Sequence, residues 1–339
     1  RKLILINLMG MKIFFATACA LTLFGACAFA NLVWPTESKD FALGKSPEVF
    51  LQPTVSGNPM SGAFGDVRNN GTRFHEGIDI KPVRRDRRGE PLDDIYCAMD
   101  GEVKMVNKIA GNSGYGRYVA VSHKDFDVEV YTLYAHLSEI DPKISIGSKV
   151  SAGTRIGKMG RSASYSIARP QAHLHFEIGL RLSDSFNSWY KTKRYKQKNL
   201  FGNYNGLNLV GFDPLAFFYD AKSGKINSGF ASYITSMPTA YVVRVYTKST
   251  PDFVKIYPAL VDSVGQTCGW DIYFTWYGLP QKFERIKDPR PGAKEGEIEI
   301  VKYNPSQLNR KCRRFVVLDS NGNPKITDSL KDMLKRIFP

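Results

Sequence analysis

Between Val55 and Tyr219 the chain never holds a helical period for long. It runs instead as short apolar or alternating stretches broken by glycine: Gly101-Glu-Val-Lys-Met-Val106, Tyr118-Val-Ala-Val-Ser122, Val128 to Ala135, Thr154-Arg-Ile-Gly157 and Leu174 to Leu180. A period near two with frequent turn residues predicts strands, and strands this short and closely spaced predict an antiparallel sheet or sandwich. The expected fold class is mainly β.

At 339 residues there is room for about two domains. The apolar stretch Phe212-Asp-Pro-Leu-Ala-Phe-Phe218 reads as the close of the first, and Ser223-Gly-Lys-Ile-Asn-Ser-Gly229 as a linker. The expected division is an entry segment over 31–54, an antiparallel β-sheet domain over 55–220, a linker over 221–234 and a smaller β-rich part over 235–339. Within the first domain, residues 181–209 carry Lys191, Lys193, Arg194, Lys196 and Lys198 and read as a long basic loop. The smaller part should hold strands at Tyr241 to Tyr246, Asp271 to Trp276, Ile298 to Tyr303 and Arg314 to Leu318. It should end in a helix from Asp328 to Phe338 that aligns Leu330, Met333, Leu334 and Ile337 on one face. No chemical motif marks this part.

The stretch from Met11 reads as a targeting signal. Lys12 is followed by an uncharged run from Ile13 to Ala30, and Ala28-Phe29-Ala30 supplies a small-x-small cleavage pattern, so the mature chain is expected to begin at Asn31. A retained membrane anchor fits less well, because a spanning helix needs about 20 apolar residues. A lipoprotein signal ending at Cys27 fits less well because Phe24 stands where leucine is usual. All three readings place the globular part outside the cytoplasm, in the periplasm, the cell envelope or the exterior. The first leaves no transmembrane span in the mature chain.

Cleavage leaves Cys97, Cys268 and Cys312 of the five cysteines. In an oxidising compartment the pair Cys268 and Cys312 is expected to bridge, with Cys97 as a buried thiol. No CxxC pair exists, so any metal must be held by histidine and carboxylate. Lys plus Arg outnumber Asp plus Glu 47 to 32, a formal charge of +15. That sign suits a polyanion, but no recognisable nucleic-acid module accompanies it, and nucleic acid is not an expected partner.

The chemistry concentrates on four of five histidines. In Gln171-Ala-His-Leu-His-Phe-Glu-Ile178, strand alternation turns His173 and His175 to one side and Leu174 and Phe176 to the core. In Phe74-His-Glu-Gly-Ile-Asp-Ile80 the glycine and the Ile78/Ile80 alternation argue against a helix, so His75 leaves a loop and Asp79 lies on the strand that follows. Two imidazoles and one carboxylate form a common catalytic zinc set with a coordination position left for water. His136 ends a run in which Val128, Val130, Thr132, Tyr134 and His136 share a face by period two. Each feature alone has an ordinary explanation as surface or turn polarity; together, in one β-rich chain poor in histidine, they point to a site. His123 opens a turn after a strand and is given no role.

His75-Glu-Gly-Ile-Asp79, Tyr134-Ala-His-Leu137 and His173-Leu-His-Phe-Glu177, in that order, resemble the three signature motifs of the lysostaphin-type (LytM-like) zinc metalloendopeptidases that act on peptidoglycan. Ser61-Gly-Ala-Phe-Gly65, Ala98-Met-Asp-Gly-Glu-Val103, Ile146-Gly-Ser-Lys-Val150 and Gly153-Thr-Arg-Ile-Gly157 support the likeness, which runs from about Val55 to Tyr219. It implies a β-sheet groove in which His75, Asp79 and His175 bind one Zn2+ ion. His136 and His173 then form the non-ligand pair that assists an attacking zinc-bound water. Which of the two is the general base stays open. The implied partner is peptidoglycan, through its peptide stems or cross-bridges, and the implied activity is hydrolysis of those cross-links.

Three stretches depart from the family pattern: Arg84-Arg-Asp-Arg-Arg88, Arg161-Ser-Ala-Ser-Tyr-Ser-Ile-Ala-Arg-Pro170 and the basic stretch after Arg181. They read as insertions beside the groove. The main rival reading is a non-catalytic LytM-like domain that binds cell wall or activates another hydrolase; such domains lose ligands, whereas all five side chains are present here. A cupin-type iron oxygenase would need a histidine after His175, and none follows.

Overall fold

The computed structural model describes residues 31–338 except 227, 228 and 264. The expected signal segment and its cleavage site lie outside the described residues. Every strand pairing is antiparallel, and the fold is mainly β, as the alternation predicts.

The main sheet is built around the strand Leu174–Arg181. One edge of that strand pairs with Val130–Ala135, which continues the sheet through Tyr118–His123, Gly101–Asn107 and Lys149–Val150. Its other edge is shared end to end by Ile78–Ile80 and Leu209–Phe212. Period two sorts the side chains. Leu174, Phe176, Ile178, Tyr134 and Val119, each fully buried, face the large core. Tyr118, Ala120, Tyr131, Leu133 and Ala135 face the other way, where Tyr204 and Leu209 cover them.

That cover comes from residues 181–209, which form structure where a loop is expected. Phe186–Thr192 is a helix, followed by 3-10 turns at Gly202–Tyr204 and Gly206–Asn208. Phe186 and Trp189 are buried and stack at 5.3 Å, an apolar i, i+3 pair hidden among lysines.

A second sheet has the strand order Pro280–Ile286, Gly269–Phe274, Tyr241–Tyr246 and Ile298–Tyr303. The helix Asp328–Ile337 buries Leu330, Met333, Leu334 and Ile337, the four residues its periodicity singles out. The two sheets share one continuous hydrophobic core. Phe217 stacks on Phe230 at 5.3 Å, Phe64 meets Tyr277 at 5.1 Å and Phe74 meets Trp276 at 5.6 Å.

The expected Cys268–Cys312 bridge is not formed; Cys97, Cys268 and Cys312 are all free thiols. Cys268 is fixed in the second sheet, where its N–H donates to Ile286 and its carbonyl accepts from Thr247. Cys312 instead lies near the strand Gly65–Arg68, where its burial, and then Asp66, raise its thiol pKa. Spacing in the sequence carried no information on that divergence.

Candidate active site

Cross-strand register brings the central residues together. His175 pairs directly with Asp79 on one side and with Ala135 on the other, so all three share the face opposite the core. His75 ends the strand Arg73–His75, and Glu76 and Gly77 turn the chain into Ile78–Ile80. Glycine is required at 77, since a Cβ there would stand 2.2 Å from the Phe176 carbonyl oxygen.

Strand alternation alone does not put His136 in the site. Tyr134 pairs with Phe176 on the core face, and strict period two would send His136 to the same side. His136 instead has φ +61°, and this left-handed turn at the strand end swings the imidazole toward His173 and His175, with ring centroids 4.8 and 5.9 Å away. A non-glycine residue in that conformation costs about 1–2 kcal/mol, a strain of the kind that concentrates at functional positions. His173 is held just before its strand by a bridge to Gly160.

His75 Nε2, His175 Nδ1 and Asp79 Oδ1 form a triangle with sides of 3.0, 3.0 and 3.1 Å. All three residues are buried, and their ligand atoms are close enough to hold one ion. The donor set fits zinc, whose ligands at about 2.0–2.1 Å in a tetrahedron stand roughly 3.3 Å apart. The remote ring nitrogens fit as well. His75 Nδ1–H donates to the Ala63 carbonyl at 2.8 Å, and His175 Nε2–H donates to Glu177 at 2.8 Å. Each imidazole is thereby oriented with its other nitrogen at the shared point. Glu177 is itself fixed by the hydroxyls of Tyr115 at 2.7 Å and Tyr131 at 2.8 Å.

The same logic orients the other two histidines. His136 Nδ1–H donates to Ser162 and His173 Nδ1–H to Gln171, at 2.8 and 2.6 Å. His173 Nε2 lies 3.4 Å from Asp79 Oδ1. Burial, aided for His136 by the neighbouring imidazoles of His173 and His175, lowers both pKa values and favours neutral rings. Burial also lowers that of His75. For His175 burial is outweighed by the hydrogen bonds to Asp79 and Glu177, which raise it to about 9. Asp79 is held well below the usual carboxylate range; burial opposes this, and the surrounding histidines overcome it.

Sequence reasoning missed Arg68. Its guanidinium donates to Asp79 Oδ2 and lies 3.0 Å from His75 Nε2, anchored by a 2.8 Å hydrogen bond to the Ser61 carbonyl. Glu177, in the sequence one candidate partner for a ligand histidine beside a backbone carbonyl, takes that place on His175, whereas Tyr115 and Tyr131 were not readable, since only the fold places them. The Arg84–Arg88 and Arg161–Pro170 stretches are clamped to one another. Glu90 accepts from Arg161 and Arg169, and Arg85 donates to the Arg169 carbonyl at 2.9 Å. His123 lies apart from the cluster, with Nδ1 on the Asp100 carbonyl and Nε2 on the Thr132 hydroxyl.

These residues open onto a cleft of about 850 Å³. Its lining includes Tyr115, Phe201 and Leu207, and also Arg313, Met333 and Arg336 from beyond the second sheet. Arg313 reaches across to Glu76 at 2.7 Å and packs over the Phe74 ring at 4.6 Å. No helix among the described residues is long and apolar enough to cross a membrane.

Among curated proteins nothing matches the chain. Solved structures with which it aligns include the catalytic domain of the prophage-encoded M23 protein EnpA from Enterococcus faecalis, at 23% identity and TM-score 0.27, over 38% of this chain and 80% of that one. The catalytic domain of lysostaphin from Staphylococcus simulans aligns at 19% identity and TM-score 0.28, over 47% and 87%. A putative glycyl-glycine endopeptidase lytM from Ruminococcus gnavus aligns at 21% identity and TM-score 0.31, over 46% and 50%. Residues 73–187, which hold His75, Asp79, His136, His173 and His175, match the model of Peptidase family M23.

Proposed function

We propose that the chain is an exported zinc metalloendopeptidase that hydrolyses peptide cross-links of peptidoglycan. The observation that carries this reading is the triangle of His75 Nε2, Asp79 Oδ1 and His175 Nδ1, with the remote nitrogen of each histidine already engaged. His75, Asp79 and His175 would hold the zinc. When bound, zinc supplies Lewis acidity, lowering the pKa of water to about 7 and polarising a carbonyl.

His136 and His173 do the proton work. Each is buried, which favours its neutral form, and tied through Nδ1–H to a backbone carbonyl, which leaves Nε2 to accept a proton from the attacking water or, once protonated, to donate to the developing oxyanion. Their neighbouring rings suit them to divide these two tasks. Residues 55–220 would form the peptidase domain and 235–339 an accessory part that completes the cleft wall. The excess of basic residues favours recruitment to anionic wall material.

The test uses the chain from residue 31 onward. Its zinc content is measured after reconstitution, and products from intact sacculi are analysed by mass spectrometry. One zinc per chain and new peptide termini are expected. Sub-stoichiometric zinc, or no new termini, would overturn the enzyme in favour of a wall-binding protein. His173→Ala should keep zinc and lose cleavage; loss of zinc instead would exchange the roles of ligand and proton carrier.

A further inference from the structure

The cleft is lined by Arg68, Arg73, Arg313 and Arg336 and by no lysine, and its only carboxylates are Glu76 and Asp79. Three of these arginines are matched. Arg68 pairs with Asp79, Arg313 with Glu76, and the Arg336 guanidinium donates to the Leu207 carbonyl and lies over Trp189. The Arg73 side chain is exposed and makes no hydrogen bond or ion pair among the described residues.

Its position makes that lack of a partner informative. Arg73 stands directly opposite Arg68 in the antiparallel pair of strands Gly65–Arg68 and Arg73–His75, an arrangement in which like charges repel. Arg73 also precedes Phe74, over whose ring Arg313 is packed, and by period two it shares the strand face of His75. An anion entering here meets one unmatched guanidinium, with Arg68 on the paired strand and Arg313 lining the same cleft. Both carboxylates of the lining are already engaged by Arg68 and Arg313, so the Arg73 fork is left open to an incoming anion. The planar arginine fork suits a carboxylate held in two parallel hydrogen bonds better than a point charge would.

We propose that Arg73, on the cleft side walled by Arg313, holds a free carboxylate of the substrate peptide, so that cross-links flanked by an unamidated carboxylate are selected. Arg73 and His75 are about 7 Å apart along the strand, which places that carboxylate on a residue at or next to the scissile bond. The inference rests on the peptidoglycan-peptidase reading for its substrate class, and on the arginine arrangement for its selectivity.

The experiment compares cross-linked stem peptides prepared with the carboxylate beside the cross-link either free or amidated. Binding to the metal-free chain from residue 31 is measured by calorimetry, and cleavage by the zinc-loaded chain is followed separately. The acid form should bind about 10- to 100-fold more tightly, the usual range for a charge-assisted hydrogen bond. Arg73→Gln should bring the acid-to-amide ratio close to one, and Arg73→Lys should give an intermediate ratio. Equal affinity for the two forms, no binding of either, or an unchanged preference in Arg73→Gln would overturn the carboxylate site. Acid-selective binding without cleavage by the zinc-loaded chain would instead overturn the peptidase reading and leave the carboxylate site standing. Cleavage of both forms with equal affinity would do the reverse.

Discussion

His175 and Asp79 face one another across adjacent antiparallel strands, and this one register sets His175 Nδ1 3.0 Å from Asp79 Oδ1. The pairing of main chains and the convergence of ligand atoms are one geometric fact, so changes that disturb the strands or the outer partners of the imidazoles should register in metal binding.

Glu177→Gln tests the outer partner. The amide keeps the shape but weakens the charge-assisted hydrogen bond that turns His175 Nδ1 toward the site. Zinc affinity, measured by competition with a chromogenic chelator, should fall about 10- to 100-fold. An unchanged affinity would mean that the strand alone orients the ring.

Arg68→Met tests the competing cation. Arg68 supplies Asp79 with a partner and lies against His75 Nε2, so its removal should raise zinc affinity and lower the thermal stability of the metal-free protein. Breaking such a buried pair typically costs about 3–5 kcal/mol, an upper bound here because zinc or protonation can relieve Asp79. Denaturant unfolding with and without zinc separates the two effects. A variant with lower zinc affinity would identify Arg68 as a support of the site instead.

Gly77→Ala tests the turn between His75 and Asp79. With the Phe176 carbonyl 2.2 Å from the added carbon, the strands must separate. A loss of about 1–3 kcal/mol is expected from overpacking, together with weakened zinc binding. Retention of both wild-type stability and wild-type zinc affinity would show that the turn can shift without moving His75.

His123 predicts an acid-sensitive component of stability away from the metal cluster. Burial lowers its pKa to about 4, against 6.5 for a free imidazole. Below pH 6.5 the unfolded chain takes up a proton that the folded chain refuses, so stability is lost as pH falls from about 6.5 to about 4, by up to roughly 3 kcal/mol. In His123→Gln this component should vanish, and urea unfolding at pH 7 and pH 5 would show a smaller difference than in wild type. An identical pH dependence in both proteins would count against it.

Much of the site was legible because it lies within short motifs. The alternation around Leu174 and Phe176 assigned the core face and hence the shared side of His173 and His175, and the Ile78/Ile80 pattern placed Asp79 on a strand. His136 was located for an incomplete reason, since its approach depends on a left-handed turn that no periodicity reveals. Glu177 could be picked out only as one candidate partner, and Arg68, Tyr115 and Tyr131 were illegible because only the folded chain brings them to the site. The helix Phe186–Thr192 had a signal, the apolar trio Phe186, Trp189 and Tyr190, that the surrounding lysines masked. The cysteine pairing failed because spacing says nothing of where each residue lies: Cys268 is fixed in the second sheet, whereas Cys312 lies beside Asp66.

The ion pair between Glu76 and Arg313 joins positions 237 residues apart, and it has a kinetic side. Contacts of such separation form late, because the intervening chain must be ordered before the contact repays loop closure. The triangle of His75, Asp79 and His175 needs only strands formed by residue 181, whereas the wall bearing Arg313 waits for the second sheet. During folding the His75, Asp79 and His175 cluster can thus come together before the wall that bounds its cleft, and the order in which the chain folds sets when the cleft is complete.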